Sequence, residues 1–195
     1  MSAEQIVAYP SPEEYLIRER KAKHRSEYEN GEMIVMAGAS YEHNLIVTNL
    51  SGELRLRLKK SPCTPLSQDM RVAISYRKYY YPDVVIVCDK PEFVDNQLDT
   101  LLNPIVVVEV LSPSTENRDR KTKLRSYRAV ETIQEIVFVS QELPLLEVYR
   151  RGVTGWALHD YEGLDAVLTL SSVNCEVPLS EIYDRMDFDL PPKNA

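Results

Sequence analysis

Two acidic side chains stand within, or at the mouth of, the two most apolar runs of this chain. Ile105-Val106-Val107-Val108-Glu109-Val110-Leu111 is unbroken apart from Glu109, and Tyr81-Pro82-Asp83 opens a second run, Val84-Val85-Ile86-Val87-Cys88. Such runs read as strands buried on both faces. An ionised carboxylate there is unfavourable unless it is paired or bound to a cation. Side by side, the two strands would build a divalent-cation site from Asp83 and Glu109, with a backbone carbonyl such as that of Val110 completing the shell. A basic segment follows, Arg118 to Arg128. Two acids and a lysine around a phosphodiester have the makings of metal-assisted hydrolysis.

Which lysine is the next question. A residue two positions after Glu109 shares its strand face, but that residue is Leu111. The following helix offers Lys121 and Lys123. Asp119, Lys123 and Tyr127 fall at i, i+4 and i+8 and share one helical face. Lys123 borders Leu124 and Tyr127, the expected core-facing positions, so Lys123 is the expected amine. Each residue also has a plainer reading: Glu109 as a structural ion-pair partner, Asp83 as a turn residue after proline, Lys123 as a solvated charge.

The elements that must position these groups are legible from local pattern. Ser11-Pro12-Glu13-Glu14 is a helix start, with Ser as cap, Pro in the first turn and Glu three residues on; the helix should reach about His24. Asn30-Gly31 between Glu27-Tyr28 and Met33 to Met36 predicts a type I′ hairpin. Ser40 caps a longer helix to about Lys60, whose Ile46, Leu50, Leu54 and Leu58 form an i, i+4 stripe. His43, three residues after that cap, reads as structural. Met70, Val72 and Ile74 alternate with Arg71, Ala73 and Ser75 as a half-buried strand. Asp89 to Pro104 reads as a polar surface excursion, and Asp69 as a strand entrance.

A helix from about Glu116 to Val130 precedes another buried strand, Ile136 to Val139. Leu145–Arg150, Gly155–His159 and Ala166–Leu170 then read as an antiparallel meander with Trp156 in its core, closed by a short helix at Pro178 to Tyr183. The tyrosines at 79–81 would either stack on bases or pack before a strand. This order predicts an α/β (α+β) fold: a mixed β-sheet core flanked by helices, with a C-terminal antiparallel meander. The expected organisation is an N-terminal tail over 1–10, one domain over 11–190 and a frayed tail over 191–195.

Composition narrows the function classes. The 195 residues suffice for a real core, and no apolar run approaches membrane-spanning length. The N-terminus shows no secretory signal. Cys63, Cys88 and Cys175 are odd in number and form no CxxC pair, which argues for a reducing compartment and against a zinc site; a cytoplasmic location is expected. The net charge of −7 is uneven: residues 1–130 carry 19 Lys+Arg against 18 Asp+Glu, whereas residues 131–195 carry 4 against 12. Phosphate binding depends on local potential, so the acidic total does not exclude a nucleic-acid substrate.

Taken together, Tyr81-Pro82-Asp83, Glu109-Val110-Leu111-Ser112-Pro113-Ser114-Thr115 and Asp119 to Tyr127 resemble the bacterial family of putative restriction endonucleases in the PD-(D/E)XK nuclease superfamily. Glu27-Tyr28-Glu29-Asn30-Gly31-Glu32, Met36 to Ser40 and His43-Asn44 are similar to that family's opening block. The likeness runs from about Tyr15 to Tyr183. It implies a restriction-endonuclease-like fold, Asp83 and Glu109 as metal-binding acids, Lys123 as a lysine relocated to the helix, and Glu27 as the acid of the first hairpin. It further implies dependence on Mg²⁺, with Mn²⁺ as an alternative, and DNA as substrate. Leu111 departs from the orthodox ExK spacing. Because two-strand scission generally needs two active sites, a homodimer is a candidate assembly. The rival reading is a catalytically inactive nuclease-fold domain that binds nucleic acid or a partner. A carboxylate-pair glycosidase is the weakest alternative, since a single Trp gives no array of sugar platforms.

Overall fold

The computed structural model describes residues 9–67 and 69–188; most of the N-terminal tail (1–8) and the whole tail over 191–195 lie outside the described residues. Helix α1 (Pro12–Glu19) starts as its sequence dictates: Ser11 Oγ accepts from Glu14 N, and Glu14 in turn accepts from Ser11 N. It stops short of the expected end at His24. Arg20 turns away to Asp95 and Asp99, and the Ser26 amide donates to the buried Glu19. Strands β1 (Ser26–Glu29) and β2 (Glu32–Val35) form the expected hairpin. Both of its turn residues have positive φ, 52° at Asn30 and 109° at Gly31, which is the type I′ geometry. Next comes α2 (Tyr41–Arg57), capped by Ser40 and burying Ile46, Leu50 and Leu54.

Strands β3 (Cys63–Ser67), β4 (Arg71–Ser75), β5 (Lys78–Tyr80), β6 (Val84–Cys88), β7 (Thr100–Leu101) and β8 (Val106–Val110) follow. The basic segment is α3 (Glu116–Arg118), a π-helical turn (Asp119–Lys123) and α4 (Leu124–Arg128). The remainder is β9 (Glu135–Val139), β10 (Leu145–Gly152), β11 (Gly155–Glu162), β12 (Val167–Leu170), β13 (Cys175–Pro178) and α5 (Leu179–Ile182). The strands make two mixed sheets, β2-β1-β5-β4-β7 and β11-β10-β9-β8-β6-β3, with β12 and β13 as a separate antiparallel pair. The single mixed sheet expected from the sequence is thus divided, and the third meander strand pairs with β13 instead of β11.

Alternation along β6 and β8 decides what each face meets. Val84, Ile86, Val106, Val108 and Val110 pack in one core with the α2 stripe. Val85, Val87, Val107 and Leu111 pack in the other with Tyr127 and Phe138. Glu109 therefore belongs to the second face, between Val107 and Leu111. Burying each such aliphatic side chain contributes roughly 1.5–3 kcal/mol, enough to hold a carboxylate where it would not otherwise go.

Three expectations are corrected. Arg71, placed on the solvent face of its strand, is buried; it donates to Thr100 Oγ1 and the Tyr81 hydroxyl and pairs with Asp99. The excursion over 89–104 contains β7, which runs parallel to β4 and buries Thr100 and Leu101. Cys63 and Cys88, opposed in the β3–β6 ladder, form a disulfide, leaving Cys175 free. The cysteine pattern therefore carries no argument about compartment. Among the described residues no helix is long and apolar enough to cross a membrane.

Candidate active site

Strand β6 runs antiparallel to β8 with Val84 opposite Val108, so Asp83, one residue further, stands opposite Glu109. The Val110 amide donates to Asp83 Oδ2 at 2.7 Å, and His43 Nε2, from the first turn of α2, lies 3.2 Å from Asp83 Oδ1. One oxygen of Asp83 thus accepts a hydrogen bond from β8, and the other lies beside an imidazole of α2.

Glu109 is buried, and its Oε1 accepts from Lys123 Nζ at 2.9 Å and from the Tyr127 hydroxyl. Lys123 is also 2.9 Å from Glu27 Oε1 on β1 and 3.3 Å from Asp119 Oδ1. The Asp119 contact is an ion pair without hydrogen-bond geometry, since Oδ1 has no hydrogen-bond partner. Arg118 pairs with the other oxygen of Glu27, and the Tyr81 amide donates to Glu27 Oε1 at 3.2 Å. The π turn lies where this amine is delivered. The Leu124 amide reaches the Asp119 carbonyl, five residues back, and Asp119 and Lys123 are its buried members.

All four sequence-predicted residues, Glu27, Asp83, Glu109 and Lys123, line one cavity of about 700 Å³. Leu111 fills the core beneath it, beside Tyr127, so the strand position where a lysine was sought is packing space. Sequence reasoning missed three participants. His43, read as structural, touches Asp83, and Asp69 also lines the cavity. Arg118 carried no signal beyond belonging to a basic run. Asp119 and Tyr127 were visible as face-mates of Lys123. The tyrosines at 79–81 are all buried, which settles them as packing residues.

The electrostatics are unbalanced. Of the five carboxylates that line the cavity, Asp69 pairs with Arg25; the other four (Glu27, Asp83, Glu109, Asp119) meet two permanent cations, Lys123 and Arg118. Burial and the neighbouring acids push Glu109 up to about 8, against the pull of Lys123. Burial opposes the charge on Glu27, but Lys123 and Arg118 outweigh it and hold this carboxyl below its usual range. Lys123 is desolvated too, yet Glu109, Glu27 and Asp119 together raise its pKa. No three His, Cys, Asp or Glu side chains among the described residues are grouped as a metal cage. The donor set nevertheless fits a hard divalent cation, because its oxygens are in charge surplus and two of its acids face each other across adjacent strands.

Residues 12–179 match the sequence profile of the Uma2 family, described as "Putative restriction endonuclease". The chain belongs to the Uma2 family. It is 36% identical over 160 residues to the "Uncharacterized protein sll1609" of Synechocystis sp., covering 81% of this chain and 90% of that one. To "Uncharacterized protein slr1290" of the same organism it is 33% identical over 180 residues, covering 91% and 93%. A crystal structure described as a putative nuclease belonging to DUF820, from Anabaena variabilis, shares the fold with a TM-score of 0.71 at 15% identity, over 89% of this chain and 97% of that one. The restriction-endonuclease-like class expected from sequence is the class this Uma2 member has.

Proposed function

We propose that the protein is a Mg²⁺-dependent nuclease hydrolysing phosphodiester bonds of DNA. The observation that carries this is the convergence of acids from β1, the entrance to β6 and β8 with the amine of the π turn in one cavity. Asp83 and Glu109 would hold the cation, with Mn²⁺ as an alternative. When bound, the cation supplies Lewis acidity and lowers the pKa of water. Lys123, kept protonated by three carboxylates, supplies fixed positive charge for the phosphate oxygens as water adds to phosphorus and one ester P–O bond breaks. Tyr127 orients Glu109, while His43 and the Val110 amide orient Asp83. Glu27, itself paired with Arg118, holds Lys123 from β1. A homodimer would supply the two sites that a double-strand cut needs.

The test is plasmid cleavage by purified protein in Mg²⁺ and in EDTA, for the wild type and Asp83→Asn. Cleavage in Mg²⁺ that falls by about 10²-fold or more in the variant is expected; equal cleavage by the two proteins would remove Asp83 from the site. One feature favours the second reading, a nuclease architecture used only for binding: Glu109 is already engaged by Lys123 and Tyr127. Calorimetry with MgCl₂ separates the two, because heat of binding that vanishes in Asp83→Asn is expected only of a metal-holding site.

A further inference from the structure

The cavity has a second wall that the hydrolytic chemistry does not use. Beside the acids it is lined by Ile34, Val35, Met36, Ala37, Gly38 and Ala39, with Ile34 paired to Glu27 across the hairpin. These run from the end of the edge strand β2 into a segment without regular structure. Val35 and Met36 expose 67% and 39% of their surface. The segment is anchored at both ends: the Met36 amide donates to Arg25 O at 2.9 Å, and Ser40 Oγ donates to Gln141 at 2.9 Å. A Cβ at Gly38 would meet nothing within 4 Å, so the wall has open space beside Gly38.

Cations are scarce in the same cavity. Among the described lining residues only Lys123 and Arg118 are permanently charged, and both are engaged by the carboxylates described above. A duplex is gripped chiefly through phosphates neutralised by lysine and arginine, and its base faces are covered by stacking. An unpaired nucleotide offers a base face, which apolar side chains hold well. The geometry points to a nucleobase subsite on the 34–39 wall, with the substrate strand entering as an unpaired nucleotide from a single strand, flap or frayed end. This inference rests on the nuclease reading and names its substrate class. The base would lie on Val35 and Met36 while the adjoining phosphate faces Asp83, Glu109 and Lys123.

The test measures fluorescence anisotropy of a 5′-labelled single strand of about 12 nucleotides and of the blunt duplex of the same sequence, in calcium buffer. Single-strand binding about tenfold tighter than duplex binding is expected, with a shallow salt dependence equivalent to about one or two phosphates. Val35→Asp and Met36→Asp alter exposed positions, so folding is preserved; circular dichroism verifies this. Each should weaken single-strand binding several-fold and change duplex binding by less than about twofold. Duplex binding as tight as single-strand binding, binding of neither, or single-strand affinity unmoved in both variants would overturn the subsite. The nuclease reading stands or falls separately. A wild type that prefers the single strand yet cuts no DNA in Mg²⁺ or Mn²⁺ keeps the subsite and loses the nuclease. Cleavage of the single strand in Mg²⁺ that both Asp variants retain in full keeps the nuclease and loses the subsite.

Discussion

Two ionic groups sit on either side of Tyr81, and they are built differently. On one side, Arg20 takes Asp99 and Asp95 through its guanidinium, and Arg71 takes Asp99, Thr100 and the Tyr81 hydroxyl. Here three arginines (Arg20, Arg25 and Arg71) meet three aspartates (Asp69, Asp95 and Asp99) at a pocket of only about 160 Å³. Hydrogen bonding from Arg20 is the leading cause that holds Asp99 well below its usual range. On the other side, four carboxylates crowd two cations around the large cavity, and Glu109 is driven upward. A matched group ties α1, β4 and β7 together, whereas a mismatched group leaves electrostatic demand that a ligand can meet. Each group contains buried charge, Arg71 in one and Glu27, Glu109, Asp119 and Lys123 in the other, so burial alone does not mark the candidate site; stoichiometry and access do.

The sharpest way to break this contrast is to exchange one member of each group. Glu109→Gln should reduce Mg²⁺-dependent DNA cleavage by about 10²-fold or more while leaving the protein as stable or more stable at pH 8, since it removes a buried acid that resists ionisation. Arg71→Met should do the reverse. Removing the guanidinium strands its partners and should lower stability by about 1–3 kcal/mol, with cleavage per folded molecule within about twofold of wild type. Urea unfolding and cleavage assays on both variants check the pair. Destabilisation by Glu109→Gln at pH 8 would show that its ion pair with Lys123 serves as a structural tie.

A smaller effect sharpens the same point through pH. Because Glu109 sits near 8 in the folded protein and near 4.5 unfolded, the native state binds the extra proton between those values. This group's contribution should therefore make the wild type lose stability as pH rises from about 5 to about 8, with no further loss above that. Unfolding in EDTA at several pH values should show a flatter dependence in Glu109→Gln; identical slopes would refute the assignment. Smallest is Ser11→Ala, which removes the α1 cap far from either group and should lower stability by about 1 kcal/mol, with cleavage unchanged. Thermal melts verify it.

Much of the fold was legible because short-range chemistry dictates it. The Ser11 capping box, the Asn30-Gly31 turn, the Ser40 cap and the α2 stripe each involve residues within about one or two turns of chain. Elements decided over long range were not. Strand β7 is two residues long and exists only because β4 lies beside it. The partner of β12 is β13, chosen by how the chain returns across the first core. Arg71 looked like an outward charge until Thr100 and Asp99 at the neighbouring β7, and Tyr81 just after the neighbouring β5, came to satisfy it.

The candidate site divides along the same line. Asp83 and Glu109 announced themselves in the sequence, since a carboxylate in or beside an apolar run is unfavourable without a compensating partner. Lys123 followed from helical phase, and Glu27 from resemblance. His43 gave no warning: its proximity to Asp83 depends on where α2 lies across the sheet, a matter of packing between residues 40 positions apart. The sequence by itself determined which side chains needed partners; the tertiary structure alone decided which partners they have, because contacts between distant segments are set by how whole faces pack. Residue spacing pointed to Lys123 in place of Leu111, but not to the π turn that delivers its amine. That turn was set by the volume between β8 and the helix, and no local pattern records a volume.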